Sequence, residues 1–291
     1  MRQLAAALLT ALALPAFAEV KPGSFSSKSL GKDVAYVVDL PASYAAGDKK
    51  YPVVYLLHGL FESSGFYERR GLSAAFAAAR ERGELPELIV VIADAANSFY
   101  VNGPAGAYED MIAKDLAEHV EQTYRVVNGR EGRALFGVSM GGYGALRMAL
   151  KYPERFTAAV THSAMILEKI PTADDGARRG QMGAFNRIFG DPIDSALWAA
   201  NDPLQLAQKA DAKSTPALYF DCGTEDRFGL FVGNKDLHEK LLARGVKHEF
   251  GLYPGDHGYE YVRSVIDKSL RFLGMALKTT PAKPALAGAK K

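Results

Sequence analysis

The sequence predicts an α/β protein in which a mainly parallel sheet carries helices on both faces. Two observations predict this fold class. Short apolar runs alternate with stretches of helical periodicity, and turns containing glycine, proline and aspartate separate many of them. With 291 residues, of which 48% are hydrophobic, the chain can build a substantial core. We expect one folded domain over residues 19–278.

The individual elements are visible as local patterns. The runs predicted to be strands are residues 34–40, 53–57, 88–93, 134–136, 158–161, 217–220 and 247–253. One helical pattern repeats every four residues, at Tyr108, Ile112, Leu116, Val120 and Tyr124. Another places Val262, Val265, Ile266 and Leu273 on one face. Because strands and helices alternate, the strands are expected to run parallel, with helices covering both sides.

The interval 162–215 interrupts this alternation and predicts a short insertion over the carboxyl edge of the sheet. It contains glycine, aspartate and proline turns between short helical pieces. Ligands of open α/β sheets bind at that edge. Candidate walls of a binding pocket are therefore Met165, Met182, Phe185, Phe189 and Trp198. For each of them taken individually, ordinary core packing is the favoured role, and a wall of the pocket is the alternative.

The charge balance limits the class of partner. The chain has 35 basic and 33 acidic residues, a net charge of +2. No strong field favours nucleic acid or an anionic membrane surface. We therefore expect a small or uncharged ligand.

The two ends of the sequence differ from the rest. Residues 1–18 have the pattern of an export signal, with Arg2, an apolar run over 4–14, and Ala16 and Ala18 at the cleavage positions. A membrane anchor is the alternative, but the run is shorter than the roughly 20 residues that span a bilayer. We expect a secreted or periplasmic protein without a membrane span, and a disordered tail over 279–291.

Cys222 is the only cysteine, so no disulfide can form within the chain. It ends an apolar run and is expected to be a buried thiol. The sequence contains no C-x-x-C or H-E-x-x-H spacing, which are the patterns of common zinc sites. We expect neither a metal nor a cofactor.

The most informative motif is Gly137-Val138-Ser139-Met140-Gly141. An apolar run precedes it and a helical pattern follows, which is the context of a strained strand-to-helix turn that presents a serine hydroxyl above a sheet. Glycine is favoured there because a side chain would crowd the turn. The alternative is a glycine-rich turn in which Ser139 only caps the next helix. The remainder of the chain decides between them.

A nucleophilic serine requires a base, and His257 is placed to be that base. It lies in the glycine-flanked loop 254–258, which follows the predicted strand 247–253 and so reaches the same sheet edge as Ser139. The competing histidines lie in a strand, in helical patterns or at the start of the insertion: His248, His119, His238 and His162. Surface or packing roles are expected for those.

The base requires a carboxylate that holds it in the correct tautomer. Asp221 is expected to end its strand, and the side chain of Asp256 is expected to diverge from its neighbour His257. Glu225 and Asp226 both lie in the loop after residues 217–220, and only one of them can face the histidine. Either choice gives the chain order serine, acid, histidine that is expected for this kind of turn.

The predicted strand 53–57 ends in His58-Gly59, a pair that opens a loop able to supply a backbone amide to an oxyanion. The amide of Met140 would be the second donor. Leu60 is favoured as the first donor, and Phe61 is the alternative. His58 itself is expected to orient the loop.

Several phrases of the sequence together resemble the esterase D family of α/β hydrolases. The phrases cover residues 51–59, 108–110, 137–142 and 255–257, and the resemblance extends from about residue 34 to residue 273. That family includes S-formylglutathione hydrolases, feruloyl and acetylxylan esterases, and secreted mycolyltransferases. The resemblance implies the α/β-hydrolase fold for the catalytic domain, 19–278.

The resemblance also implies roles for residues. It implies a triad of Ser139, Asp226 and His257, with the acid after a Gly-Thr-x element, which favours Asp226 over Glu225. It implies an oxyanion hole made by the amides of Leu60 and Met140, and no metal.

The expected function is that of a secreted serine carboxylesterase, which hydrolyses a small or carbohydrate-linked ester through an acyl-enzyme on Ser139. An acyltransferase that uses the same acyl-enzyme is one alternative. A non-catalytic binding protein on the same fold is another, although no triad member is missing. A strongly anionic siderophore ester is disfavoured, because the insertion offers few basic residues beyond Arg178, Arg179 and Arg187.

Overall fold

The strands form a large sheet and a small ribbon. The computed structural model describes residues 19–172 and 182–278. The expected export signal, the expected tail, Arg178 and Arg179 lie outside these residues. The strands are β1 (Glu19–Ser27), β2 (Lys32–Leu40), β3 (Val53–Leu57), β4 (Ile89–Ala93), β5 (Asn102–Gly103), β6 (Gly106–Ala107), β7 (Arg133–Val138), β8 (Ala158–His162), β9 (Ala217–Gly223) and β10 (His248–Tyr253).

An eight-stranded sheet has the order β1-β2-β4-β3-β7-β8-β9-β10. The pairs β1–β2 and β2–β4 are antiparallel, whereas β4, β3, β7, β8, β9 and β10 run parallel. Strands β5 and β6 form a separate two-stranded ribbon. The mainly parallel sheet predicted from the sequence is confirmed.

The central strands are buried along their whole length. Every residue of β3, β4 and β8 is buried, as expected for strands that helices cover on both faces. This explains why these strands are continuous apolar runs in the sequence rather than alternating ones. Strand β1 lies at the sheet edge and keeps mostly exposed or half-buried residues.

The helices and helical segments connect these strands. They are α1 (Phe66–Arg69), α2 (Leu72–Glu81), α3 (Tyr108–Asp110), a π-helical segment (Met111–Leu116), α4 (Ala117–Thr123), α5 (Met140–Lys151), α6 (Met182–Phe189), α7 (Ser195–Asn201), α8 (Pro203–Ala207), α9 (Leu230–Ala243) and α10 (Tyr259–Lys278). Short 3₁₀ turns cover Ala42–Ala45 and Arg130–Gly132.

Two cores lie on opposite faces of the sheet. Helices α2 and α10 pack on one face, where Phe76, Val262 and Leu270 are fully buried. Helices α4, α5 and α9 pack on the other face, where Val120, Leu146 and Leu237 are fully buried. Side chains of successive strand residues point alternately into the two cores. The expectation of helices on both faces is confirmed.

The apolar repeat of exactly four residues, from Tyr108 to Tyr124, coincides with a π-helical segment in the structure. An α-helix turns once in 3.6 residues, so a strict repeat of four drifts around its surface. The π-helical segment between α3 and α4 is wound more loosely. It helps to keep Tyr108, Ile112, Leu116 and Val120 buried in the same core.

Candidate active site

Ser139 occupies the sharp turn between β7 and α5. Its backbone has φ 57° and ψ −115°, a strained conformation for a residue other than glycine. A Cβ at Gly137 would lie 2.2 Å from the carbonyl oxygen of Gly141, and one at Gly141 would lie 1.9 Å from the carbonyl oxygen of Leu57. Both glycines are therefore required by close backbone approach at this turn.

The side chains of Ser139, His257 and Asp226 form a continuous hydrogen-bonded chain. Ser139 Oγ lies 3.0 Å from His257 Nε2, and His257 Nδ1 lies 2.8 Å from Asp226 Oδ2. A carboxylate can only accept, so the Nδ1 proton is donated to Asp226 and Nε2 is free to accept the serine proton. The structure thus brings together the three residues that the sequence singles out.

The local structure fixes Asp226 in this position. It follows β9, and its Oδ1 accepts a hydrogen bond of 2.9 Å from the amide of Phe228. The buried thiol of Cys222 lies 3.6 Å from Oδ2, and burial raises the pKa of that thiol, so it keeps its proton. The Asp226 side chain is fully buried, whereas 15% of the His257 side chain is exposed.

The other carboxylates near His257 have different partners. Asp256 accepts hydrogen bonds from the amides of Arg227 and His257, at 2.8 and 2.5 Å, and pairs with the Arg227 guanidinium. That guanidinium lowers the pKa of Asp256. Asp221 lies in a separate buried cluster, and Glu225 is exposed.

The loop after β3 lies beside Ser139. The amide of Phe61 donates to Asn97 Oδ1 at 2.8 Å, so it is already occupied. The amide of Leu60 has no protein acceptor among the described residues, and Leu60 lines the same cavity as Ser139. Met140 provides the first amide of α5, at the positive end of the helix dipole. These contacts leave Leu60 rather than Phe61 available as a donor.

His58 holds this loop from beneath. Its Nε2 accepts from the amide of Ala95 at 2.9 Å, so its proton is on Nδ1, which donates to the carbonyl of Gly59 at 2.9 Å. The hydroxyl of Tyr100 donates to the His58 carbonyl at 3.0 Å. Burial lowers the pKa of His58, which keeps the ring neutral.

A cavity of about 200 Å³ opens at Ser139. Its described lining is mostly apolar: Gly59, Leu60, Phe61, Glu62, Val138, Ser139, Met165, Phe228, His257, Gly258 and Tyr259. Phe61 is 79% exposed at the mouth. The apolar lining fits an uncharged group attached to the carbonyl that Ser139 would attack.

Only Met165, of the residues expected to wall the pocket, lines this cavity. Met182, Phe185, Phe189 and Trp198 do not line it, and the structure confirms for them the favoured role of core packing. The Phe185 ring packs at an angle against Phe99 and edge-on against Trp198, and Trp198 packs on Phe189. All three insertion aromatics are therefore buried in the core beside α5. Met182 is half-buried against the same core.

The walls that sequence reasoning missed are Phe228 and Tyr259. Each lies two residues after a triad residue, Phe228 after Asp226 and Tyr259 after His257. This closeness in sequence to the triad could have identified both as pocket residues. Asn97, which anchors the oxyanion loop, was also missed. Asn97 lies four residues after the end of β4, in a loop at the carboxyl edge of the sheet, and this position was the available signal.

Two negative findings hold for residues 19–172 and 182–278. No group of three or more His, Cys, Asp or Glu side chains is arranged to hold a metal ion. No helix in that part of the chain is long and apolar enough to cross a membrane.

The chain was compared with known proteins. The family model described as "Putative esterase" matches residues 27–273. An esterase of Mycobacterium tuberculosis strain H37Rv is 26% identical over 255 residues, 80% of this chain and 54% of that protein. This chain thus spans about half the length of the mycobacterial esterases that it matches. An acetyl esterase of Caldicellulosiruptor saccharolyticus is 26% identical over 266 residues, 86% of this chain and 96% of that protein.

The fold is shared with solved esterase structures. A ferulic acid esterase superposes with a TM-score of 0.74 and 28% identity, over 89% of this chain and 98% of that one. The α/β-hydrolase fold expected from the resemblance is confirmed. The match extends from within β1 to the last turns of α10, and the chain belongs to the esterase family.

Proposed function

We propose that this chain is a serine carboxylesterase that acts through an acyl-enzyme on Ser139. The observation that carries the proposal is the hydrogen-bonded chain from Ser139 Oγ through His257 to Asp226, opening on an apolar cavity. Its membership of the esterase family supports the same chemistry.

The geometry supports a two-step reaction. Ser139 Oγ attacks the ester carbonyl carbon while its proton passes to His257 Nε2, and Asp226 stabilises the resulting imidazolium. The amides of Leu60 and Met140 would bind the oxyanion. When the ester C–O bond breaks, the His257 proton passes to the leaving alcohol. Water then attacks the acyl carbon while one of its protons passes to His257 Nε2. His257 returns this proton to Ser139 Oγ as the bond between Ser139 Oγ and the acyl carbon breaks, which releases the acid.

The cavity supports a short acyl group. The cavity of about 200 Å³ at Ser139 is lined mostly by apolar side chains, which suits an acetyl or butyryl group. A feruloyl group is several times larger than an acetyl group, and we expect its ring to reach the mouth beside Phe61. Similar proteins are named as an acetyl esterase and as a ferulic acid esterase. We expect hydrolysis of acetyl and butyryl esters to be faster than that of feruloyl esters.

The test is an ester panel with Ser139→Ala and a matched control, Ser163→Ala. Ser163 is also buried with positive φ, and lies near the same sheet edge. We expect Ser139→Ala to lower kcat/KM by at least about 10³-fold, and Ser163→Ala to retain turnover. A fluorophosphonate should label Ser139 in the wild type. Residual activity within tenfold in Ser139→Ala, or labelling at Ser163, would overturn the assignment.

The same panel tests the alternatives. Addition of a sugar acceptor tests acyl transfer, since a transferase would give a new ester in place of the free acid. Binding of esters without turnover would indicate a non-catalytic protein.

We also propose that the protein is exported, with residues 1–18 removed. The pattern of charge, apolar run and small residues in that segment supports cleavage before Glu19. Amino-terminal sequencing of the protein recovered from outside the cytoplasm should begin at Glu19. A chain that retains Met1 would contradict the proposal.

A further inference from the structure

A second cluster of polar side chains lies buried beneath the triad. The Asp221 carboxylate accepts hydrogen bonds from His162 Nδ1, Tyr219 and Tyr261, each at 2.9 Å. Ser269 Oγ lies 3.1 Å from His162 Nε2. Burial raises the pKa of Tyr219 and Tyr261, so both phenols keep their protons and donate. Because Ser269, His162 and Asp221 are fully buried, no substrate reaches this second serine, histidine and aspartate set.

The cluster is joined to Ser139 through β8. His162, the last residue of that strand, accepts a hydrogen bond of 3.0 Å at its carbonyl from the amide of Ser139. Its side chain binds Asp221, and the amide of the next residue, Ser163, donates to the Asp221 carbonyl at 2.8 Å. The Ser139 amide is therefore hydrogen-bonded to the end of β8, and Asp221 fixes that end through two contacts, one with the His162 side chain and one with the Ser163 amide.

The cluster is joined to His257 through the start of α10. Tyr261, whose hydroxyl binds Asp221, lies in the first turn of that helix, directly after the loop that carries His257. The Tyr261 ring packs on Gly255 in the same loop, where a Cβ would lie 2.8 Å from the ring. The position of His257 therefore depends on the position of the Tyr261 ring, which the hydrogen bond to Asp221 fixes.

The third connection is the chain itself. Asp221 lies in β9, whose last residue, Gly223, accepts a hydrogen bond from the amide of Asp226. We propose that Asp221 is a positioning residue that fixes the relative places of Ser139, His257 and Asp226. This proposal rests on the proposed serine esterase function. Asp221 contacts none of the reacting atoms. It acts through the end of β8, which contacts the Ser139 amide, through the first turn of α10, which follows the His257 loop, and through β9, which leads to Asp226.

Tyr261→Phe tests the proposal, because it removes one phenol oxygen and keeps the packed ring. Tyr67→Phe is its matched control. Tyr67 is equally buried on the same face of the sheet, and donates to the buried carboxylate of Asp39 at 2.6 Å. Asp39 keeps Arg80 as a partner, just as Asp221 keeps His162. A second pair, Asp221→Asn and Asp39→Asn, removes the charge at each place.

The measurement is kcat per active site, with sites counted by fluorophosphonate titration. We expect Tyr261→Phe to lower kcat per site by about tenfold and Asp221→Asn by up to about 100-fold, with KM within about twofold, because small misplacements of catalytic groups have effects of this size. Both controls should keep the wild-type kcat per site. A purely structural role would lower the fraction of titratable sites and leave kcat per site unchanged.

Wild-type kcat per site in Tyr261→Phe would overturn the proposal, as would an equal loss in Tyr67→Phe. If Asp221→Asn does not fold, the tyrosine pair still decides. Absence of turnover in the wild type would instead refute the proposed function.

Discussion

Asp226 and Asp256 both accept a hydrogen bond from His257, and their other partners give them different chemistry. Asp256 is engaged by the Arg227 side chain and by two backbone amides, one of them that of His257 itself. Asp226 is buried and meets the imidazole at Nδ1. Asp256 therefore stabilises the loop, whereas Asp226 can set the tautomer of the base.

Asp226→Asn should lower kcat by about 10⁴, because an amide can hold His257 with the proton on the wrong nitrogen. Glu225→Gln is the control, since that side chain is exposed in the same loop. Steady-state kinetics on an acetyl ester would measure both variants. A larger loss in Glu225→Gln than in Asp226→Asn would mean that the acid had been misidentified.

At the scale of elements, the turn between β7 and α5 depends on close backbone contacts. Gly141→Ala would place a methyl group 1.9 Å from the Leu57 carbonyl, so β3 or α5 must shift. We expect the free energy of unfolding to fall by about 3 kcal/mol and most of the activity to be lost. Urea denaturation followed by circular dichroism, with an ester assay, measures both effects.

Gly183→Ala is the matched control, because a Cβ at this position in α6 would lie more than 4 Å from every atom of the described residues outside the backbone of its own helix and its chain neighbours. Alanine is favoured over glycine inside a helix by about 0.5–1 kcal/mol, so this variant should be at least as stable as wild type and equally active. A stable, active Gly141→Ala would show that the turn tolerates a side chain.

The parallel strands were predictable because both faces are covered, which makes each strand a continuous apolar run such as that of β3. Strand β1 was missed because it lies at the edge, where Pro22 and Gly23 interrupt the pattern and little apolar surface is buried. The β5–β6 ribbon was missed because it has only two residues in each strand.

The sequence predicted those residues of the candidate site that directly follow a strand, because the carboxyl ends of parallel strands meet at one edge of the sheet. The glycine-flanked Ser139 and His257 each carry a local signal, and the structure brings them within 3.0 Å. The choice between Leu60 and Phe61 was open in the sequence, because it depends on Asn97, which contacts the loop from another strand end. Which of the insertion residues line the pocket could not be read from the sequence, because apolar residues are equally suited to a pocket wall and to a core.

At the scale of the molecule, the sheet order explains how distant segments meet. Ser139 follows β7, Asp226 follows β9 and His257 follows β10, and parallel strands bring their carboxyl ends to one edge. Strand β8 lies between β7 and β9 and supports the Ser139 amide through His162. The site therefore depends on the integrity of the whole sheet. A change of pH that destabilises the fold is expected to disrupt the site as well.

Three histidines connect the stability of the molecule to pH. Burial lowers the pKa of His58, His119 and His248 below the ordinary value of 6.5. Unfolded histidines bind protons near that value, whereas these three in the folded protein bind them only at lower pH. Below pH 6.5 the unfolded state therefore holds more protons, and the free energy of unfolding decreases as pH falls towards the folded pKa values. Above that range these groups contribute no pH dependence.

We expect Tm to fall as pH is lowered from about 7 to about 5, with each histidine contributing up to about 1.4 kcal/mol per pH unit within its window. His58→Gln removes one contribution, so its slope of Tm against pH should be shallower than that of wild type, whatever its absolute stability. Differential scanning fluorimetry across this range provides the measurement. His119→Gln, at a more exposed site, should reduce the slope less. A pH-independent Tm, or a His58→Gln slope equal to that of wild type, would show that the buried ring of His58 does not limit stability in acid.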